Sequence, residues 1–194
     1  MNRTTTTSAG ILLAVLTLGG CAGEDHNDAD VEFATTMIGH HAQAIQMANY
    51  TIGREGVDPR IAELAEEIRI SQTEEIDTLS GYLRDWGEEV PETGFATGDS
   101  HSHSEEDMGG DHEAAADMPG MMSDAEMEDL ATAQGDEFAR MWLQMMVEHH
   151  EGAVAMVDDL QEEGEHEDLG ALAGEMEDVQ RTEIRDLERW QADL

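Results

Sequence analysis

Two stretches of the chain carry the same potential ligands at the same spacing. Met37, His40, His41 and Met47 form the first set; Met146, His149, His150 and Met156 form the second. In each, a His-His pair follows one methionine by three positions, and a second methionine follows the first histidine by seven. Agreement in both residue type and spacing marks an internal duplication. Imidazole suits several transition metals, whereas thioether sulfur selects the softer ones, so the combination points to copper and favours Cu(I). An imidazole must be deprotonated to ligate, and its ordinary pKa is about 6.5, so protons should compete with a metal below that value.

The surrounding periodicity shows where these side chains must point. At helical spacing, the apolar stripe of the first motif runs through Phe33, Met37, Ala44 and Ala48, with His41 inside it and His40 at its edge beside Met47. The second motif repeats this with Trp142, Met146, Ala153 and Leu160 flanked by His149 and His150. Further along each repeat, Gln72 and Glu75 lie between Ile68 and Leu79, and Gln180 and Glu183 lie between Met176 and Leu187. A buried amide or carboxylate without partners is costly, so these groups must satisfy one another, water or a metal. Carboxylates and amides also orient ligating imidazoles, which makes Gln72, Glu75, Gln180 and Glu183 supporting or alternative ligands. Methionine on a helix face is usually core filler; only its fixed offset from the histidines gives it a second meaning.

The elements that position these motifs are helices. The first should start near Asp28 or Asp30 as a cap and run to about Arg54, with Gly53 and Gly56 as the stop. Asp58-Pro59 restarts the chain in a second helix that ends at Gly87. Ser123-Asp-Ala-Glu126 is a capping box opening a short helix through Gln134, after which Gly135 breaks the chain and Asp136 caps a third long helix. Gly164 turns into a last helix along Leu169, Leu172, Met176, Val179, Ile184, Leu187 and Trp190. No stretch alternates as a strand would. Two antiparallel hairpins, each with an apolar stripe, bury those stripes most simply against each other, giving an all-α four-helix bundle.

Between the hairpins, residues 88–122 lose apolar periodicity and read as an acidic, disordered crossover linker. It carries His101, His103, His112 and several methionines, a composition suited to weak cation capture, though an acidic spacer would look the same. The expected organisation is therefore 1–20 signal peptide, 21–29 tether, 30–87 first hairpin, 88–122 linker, 123–135 short helix and 136–194 second hairpin.

With 46 acidic residues against 9 basic ones, all arginine, the net charge of −37 excludes nucleic acid and anionic lipid as electrostatic partners. Membrane attachment would need another device, and the N-terminus supplies one. Arg3 precedes the apolar run of residues 11–18, too short to span a bilayer but suited to a secretory signal. The Leu18-Gly-Gly-Cys21 ending resembles a bacterial lipobox, which implies cleavage before Cys21, lipidation of its sulfur and an extracytoplasmic, membrane-anchored protein. Cys21 is the only cysteine, so an internal disulfide is excluded.

The two motifs together carry a family resemblance. Phe33-x3-Met37-Ile-x-His40-His41-x2-Ala44-Ile-x-Met47, then Leu64-Ala-x2-Ile68-x3-Gln72-x2-Glu75-Ile76, resembles the bacterial DUF305 family. Met145-Met146-Val-x-His149-His150-x-Gly152-Ala153 with Gln180-x2-Glu183-Ile184 is a second copy. The resemblance implies a ferritin-like four-helix fold, secretion or lipid anchoring, and, for some members, binding of copper or silver. The copies differ where Trp142 replaces Phe33 and Gly152 replaces Gln43, so the two sites need not be equivalent.

The leading expectation is a lipid-anchored metal-binding protein that sequesters or transfers copper-like ions, with no catalytic residue. Two alternatives stand beside it. One is a ferroxidase-like carboxylate/His metal oxidase on the same bundle. The other is a structural or interaction lipoprotein whose His, Gln and Glu side chains form a buried hydrogen-bond layer.

Overall fold

The computed structural model describes residues 26–93 and 118–194. Among them are five helices: α1 (Asp28–Asn49), α2 (Pro59–Trp86), α3 (Asp124–Thr132), α4 (Gly135–Glu163) and α5 (Glu167–Asp193). No strand occurs among the described residues. The chain is all-helical, and α1/α2 and α4/α5 form the two expected hairpins, joined through the packing of α1 on α4. Cys21, the expected signal segment of residues 1–20, and His101, His103 and His112 lie outside the described residues.

Local chemistry explains most helix ends, with several departures from the sequence reading, among them α3 ending at Thr132 rather than Gln134 and Gly135 opening α4 rather than breaking the chain. The cap of α1 is Asn27, not Asp28 or Asp30: its side chain accepts from the N–H groups of Ala29 and Asp30. Asp30 is instead the reciprocal partner, and its carboxylate reaches back to the Asn27 N–H at 2.8 Å. The same helix stops at Asn49 rather than Arg54, because the Thr51 hydroxyl turns back onto the Ala48 carbonyl and two left-handed glycines, Gly53 and Gly56, follow. Arg54 consequently leaves the helix and spans to the carbonyls of Ala131 and Ala133 at the end of α3, its guanidinium 4.0 Å above the Phe138 ring. At α4 the cap position is Gln134, which makes no side-chain cap bond, and Asp136 falls in the first turn, where the helix dipole still favours its charge. Elsewhere Asp58 and Pro59 open α2, Gly87 closes it at φ 81°, and Ser123 and Glu126 form the capping box of α3.

The α1–α4 pair runs antiparallel. The start of α1 meets the end of α4, where Asn27 Nδ2 donates to the Glu163 carbonyl at 2.7 Å. The end of α1 meets the start of α4, where the fully buried Trp142 donates from Nε1 to the Met47 carbonyl at 3.0 Å. Asp30, fully buried, ties the two hairpins by accepting from the backbone N–H groups of Glu165 and His166 as well as Asn27. Replacing it with alanine would orphan those three donors. Given that hydrogen bonds to a charged group contribute roughly 1.5–3 kcal/mol, Asp30→Ala is expected to destabilise the fold by about 2–4 kcal/mol in urea unfolding.

The core has two apolar compartments. One gathers Met47, Met146, Trp142, Phe138, Leu130 and Ile68. The other gathers Met37, Met156, Phe33, Leu79, Leu160 and Met176. Antiparallel packing therefore places one methionine from each repeat in each compartment. The paired histidines occupy the same helices between these methionines.

Candidate metal centre

All four motif histidines are buried, none more than 1 % exposed. His40 and His149, equivalent positions in the two repeats, face each other across the α1–α4 contact with ring centroids 3.7 Å apart and planes tilted 38°. Within each hairpin the second histidine meets the glutamate of the facing helix. His150 Nε2 lies 2.6 Å from Glu183 Oε2 in a well-directed hydrogen bond. His41 Nε2 lies 2.7 Å from Glu75 Oε2, a close contact that lacks the same direction. Gln72 and Gln180, three residues before those glutamates on the same helices, are buried as well. The result is a polar layer with near two-fold symmetry, one set of groups from each repeat.

The hydrogen bonds of this layer assign protons. A carboxylate or carbonyl oxygen can only accept, so a neutral imidazole facing one must carry its proton on the nitrogen that faces it. His150 Nε2 faces Glu183, His41 Nε2 faces Glu75, and His40 Nε2 lies 3.1 Å from the Pro119 carbonyl. In all three rings Nδ1 is buried and has no hydrogen-bond partner. His149 makes no well-formed hydrogen bond at either nitrogen, and Oε1 of Gln72 and of Gln180 are likewise unpartnered. Together with His41 Nε2, whose contact with Glu75 is poorly directed, they are the eight buried side-chain polar atoms that lack a well-formed hydrogen bond among the described residues, and all belong to this layer.

Burial, reinforced by neighbouring His41, pushes the His40 imidazole down to about 3, against an opposing pull from the Pro119 carbonyl. Burial also holds His149 well below the usual histidine value, with His40, His150 and His41 acting in the same direction. Both are neutral at physiological pH, the state in which imidazole nitrogen donates to a metal.

The donor set fits a soft or borderline cation. Each ligating histidine of a metal site commonly donates its remote N–H to a carboxylate or backbone carbonyl, and that arrangement is present at His40 and His150 and approached at His41. Met37, Met47 and Met146 are fully buried and Met156 nearly so, one pair in the compartment on either side. No group of three or more His, Cys, Asp or Glu side chains converges as a ligand cluster among the described residues. An ion held here would draw on imidazole and thioether rather than on a carboxylate cluster. A carboxylate-bridged di-iron centre fits less well, since it needs a Glu from two helices and Glu-x-x-His from the other two. Glu75 and Glu183 face imidazoles, while Glu163-x-x-His166 sits at a turn where His166 Nδ1 caps α5 by accepting from the Leu169 N–H.

The sequence expected the His pairs, Gln72, Glu75, Gln180 and Glu183 to share one layer, and the structure brings them together. What it did not show is the end of the linker. Residues 118–122 pack against α1 and α4, with Met122 buried and Pro119 on His40. The one available signal was the mismatch between Gln43 and Gly152, both of which touch that segment.

Two antiparallel hairpins around a two-fold His/Gln/Glu layer define a class of helical protein built by duplication. The chain belongs to the DUF305 family, a domain of unknown function whose model matches residues 30–191. Among solved structures, a DUF305 fragment from Deinococcus radiodurans is 30% identical with a TM-score of 0.70, covering 87% of this chain and 98% of its own. A DUF305 protein from Streptomyces coelicolor, described as secreted, is 31% identical with a TM-score of 0.67, covering 85% of this chain and 91% of its own. CopM in its Cu(II)-bound form shares the fold at 24% identity and a TM-score of 0.64, covering 84% of this chain and 96% of its own. CopM is also known in Cu(I)- and silver-bound forms. No curated protein matches the chain.

Proposed function

We propose that this protein is an extracytoplasmic, lipid-anchored binder of copper-like ions that sequesters or transfers them without catalysis. The observation that carries the reading is the concentration of eight buried polar atoms that lack a well-formed hydrogen bond in one layer between two methionine pairs. An unsatisfied buried donor or acceptor costs about 1–3 kcal/mol, so a layer serving only as hydrogen-bonded support would be a poor use of these residues. A metal uses the free imidazole lone pairs. His40, His41, His149 and His150, with Met37, Met47, Met146 and Met156, are the proposed ligands; Glu75, Glu183, Gln72 and Gln180 orient them. The copper- and silver-bound forms of CopM, on the same fold, support the choice of ion.

Metal analysis of the purified protein tests the reading. Copper retained near stoichiometry is the expected result. Iron would favour the oxidase alternative, and a metal-free protein unable to bind added Cu(I) would favour the hydrogen-bond layer. His101, His103 and His112 are proposed as weak collectors. Deleting residues 98–117, which spares the packed 118–122 segment, should remove only a weak, high-capacity component from a Cu(I) titration.

Anchoring is proposed through Cys21. No helix among the described residues is long and apolar enough to cross a membrane, and the acidic surface repels anionic lipid. The Cys21→Ser protein is expected to lose membrane fractionation or to remain unprocessed. A mature, lipidated Cys21→Ser product, identified by mass spectrometry of the N-terminus, would refute the lipobox.

A further inference from the structure

One repeat position breaks the two-fold symmetry at the site itself. Residues 43 and 152 are equivalent, glutamine in the first copy and glycine in the second, and both hold the strap formed by residues 118–122. Gln43 clamps one end: its Nε2 donates to the Met122 carbonyl at 2.8 Å, and its Oε1 accepts from the Met122 N–H at 2.7 Å. Gly152 admits the other end. A Cβ on residue 152 would overlap the Pro119 carbonyl and lie 2.7 Å from Gly120 Cα. Gly120 itself, at φ 75°, sits so close to α4 that a Cβ there would lie 2.5 Å from the Glu148 carbonyl oxygen.

This seating brings the Pro119 carbonyl to His40 Nε2. The ring of the two-fold counterpart, His149, has no acceptor from the strap and no well-formed hydrogen bond; the strap passes only its backbone carbonyl, beside Gly120. Pro119 and Met118 also line a groove of about 390 Å³ between α1 and α4, with Met156 and the carboxylates of Glu32, Asp159 and Glu163 around it.

We propose that Gln43 and Gly152 are positioning residues that seat the strap so that the Pro119 carbonyl holds the His40 proton on Nε2, leaving Nδ1 as a preset lone-pair donor. The His149 ring meets no strap carbonyl, only the His40 backbone carbonyl without a well-formed hydrogen bond, so two histidines that duplication would make equal become unequal. The consequence for a bound ion rests on the function proposed above: loosening the strap frees the His40 ring and speeds loss of the ion.

The test uses the full chain labelled with ¹⁵N-histidine, first without metal. In the parent, long-range ¹H–¹⁵N spectra should show His40 with protonated Nε2 and unprotonated Nδ1. Gly152→Ala and Gln43→Ala should both collapse that separation towards a tautomer average. They should also raise amide exchange at Met121 and Met122 by at least tenfold. Alanine is the better helix former, so Gly152→Ala retains α4. Gly39→Ala is the control, since a Cβ there meets nothing within 4 Å, and it should leave the spectrum unchanged.

A parent His40 protonated on Nδ1, or two variants with unchanged His40 shifts, would overturn the proposal. A second arm loads Ag(I) and follows its transfer to a chelator, expected to be at least tenfold faster in both variants. Unchanged transfer despite an altered tautomer would overturn the claim on ion exchange. A parent that binds neither Ag(I) nor Cu(I) would refute the metal function and with it that claim, while the metal-free spectra still decide the positioning role.

Discussion

Replacing His40, His41, His149 and His150 together with alanine is expected to abolish tight Cu(I) binding. Loss of residues that merely orient a metal ligand commonly costs about 10–100-fold in affinity, so removing the ligands themselves should exceed ~100-fold. The milder pair Glu75→Gln and Glu183→Gln should fall within that 10–100-fold range, because each carboxylate would become a neutral amide beside its imidazole. Truncating four buried rings leaves cavities, but it also removes six of the eight polar atoms that lack a well-formed hydrogen bond, which offsets part of that cost. Helicity by circular dichroism therefore accompanies the Cu(I) titration. A quadruple variant that stays helical and binds Cu(I) as tightly as the parent would make the layer structural and end the metal reading.

The metal-free protein should lose stability as pH falls from about 6.5. His40 titrates near 6.5 when unfolded and at about 3 when buried in the fold, so between those values the unfolded chain takes up a proton that the native state refuses. Stability is then fully present above pH 6.5 and declines as pH drops, at about 1.4 kcal/mol per pH unit for one such group. From pH 7 to pH 5, His40 alone should cost about 2 kcal/mol, and His149, shifted downward for the same reason, adds a loss of the same sign. Urea unfolding at the two pH values measures it. Replacing both residues with glutamine should flatten the slope; an equally steep slope in that variant would place the acid sensitivity elsewhere. This alters the simple expectation that protons compete for the imidazoles below 6.5. At His40 acid acts first on the fold, since the buried ring stays neutral.

Much of this protein was determined by its sequence. Helical periodicity is a local property, so the apolar stripes, the histidines lying on them and the partner Gln-x-x-Glu segments could be read directly, as could the cap at Asp58, the capping box at Ser123 and the stop at Gly87. Duplication then required two similar hairpins. The cap of α1 was misread because Asp30 has a use elsewhere: it serves the far hairpin, and Asn27 caps α1.

Only the tertiary structure decided how the layer is wired. Antiparallel packing of α1 on α4 puts His40 on His149 and pairs Met37 with Met156 and Met47 with Met146 by compartment, a crossing that repeat spacing alone leaves open. Which imidazole nitrogen keeps its proton depends on acceptors more than thirty residues away in the chain, Glu75, Glu183 and the Pro119 carbonyl. The strap was invisible because its residues have no periodicity. It is held by one amide side chain and by the absence of another at Gly152, and absence of a side chain has meaning only once a neighbouring backbone occupies the space.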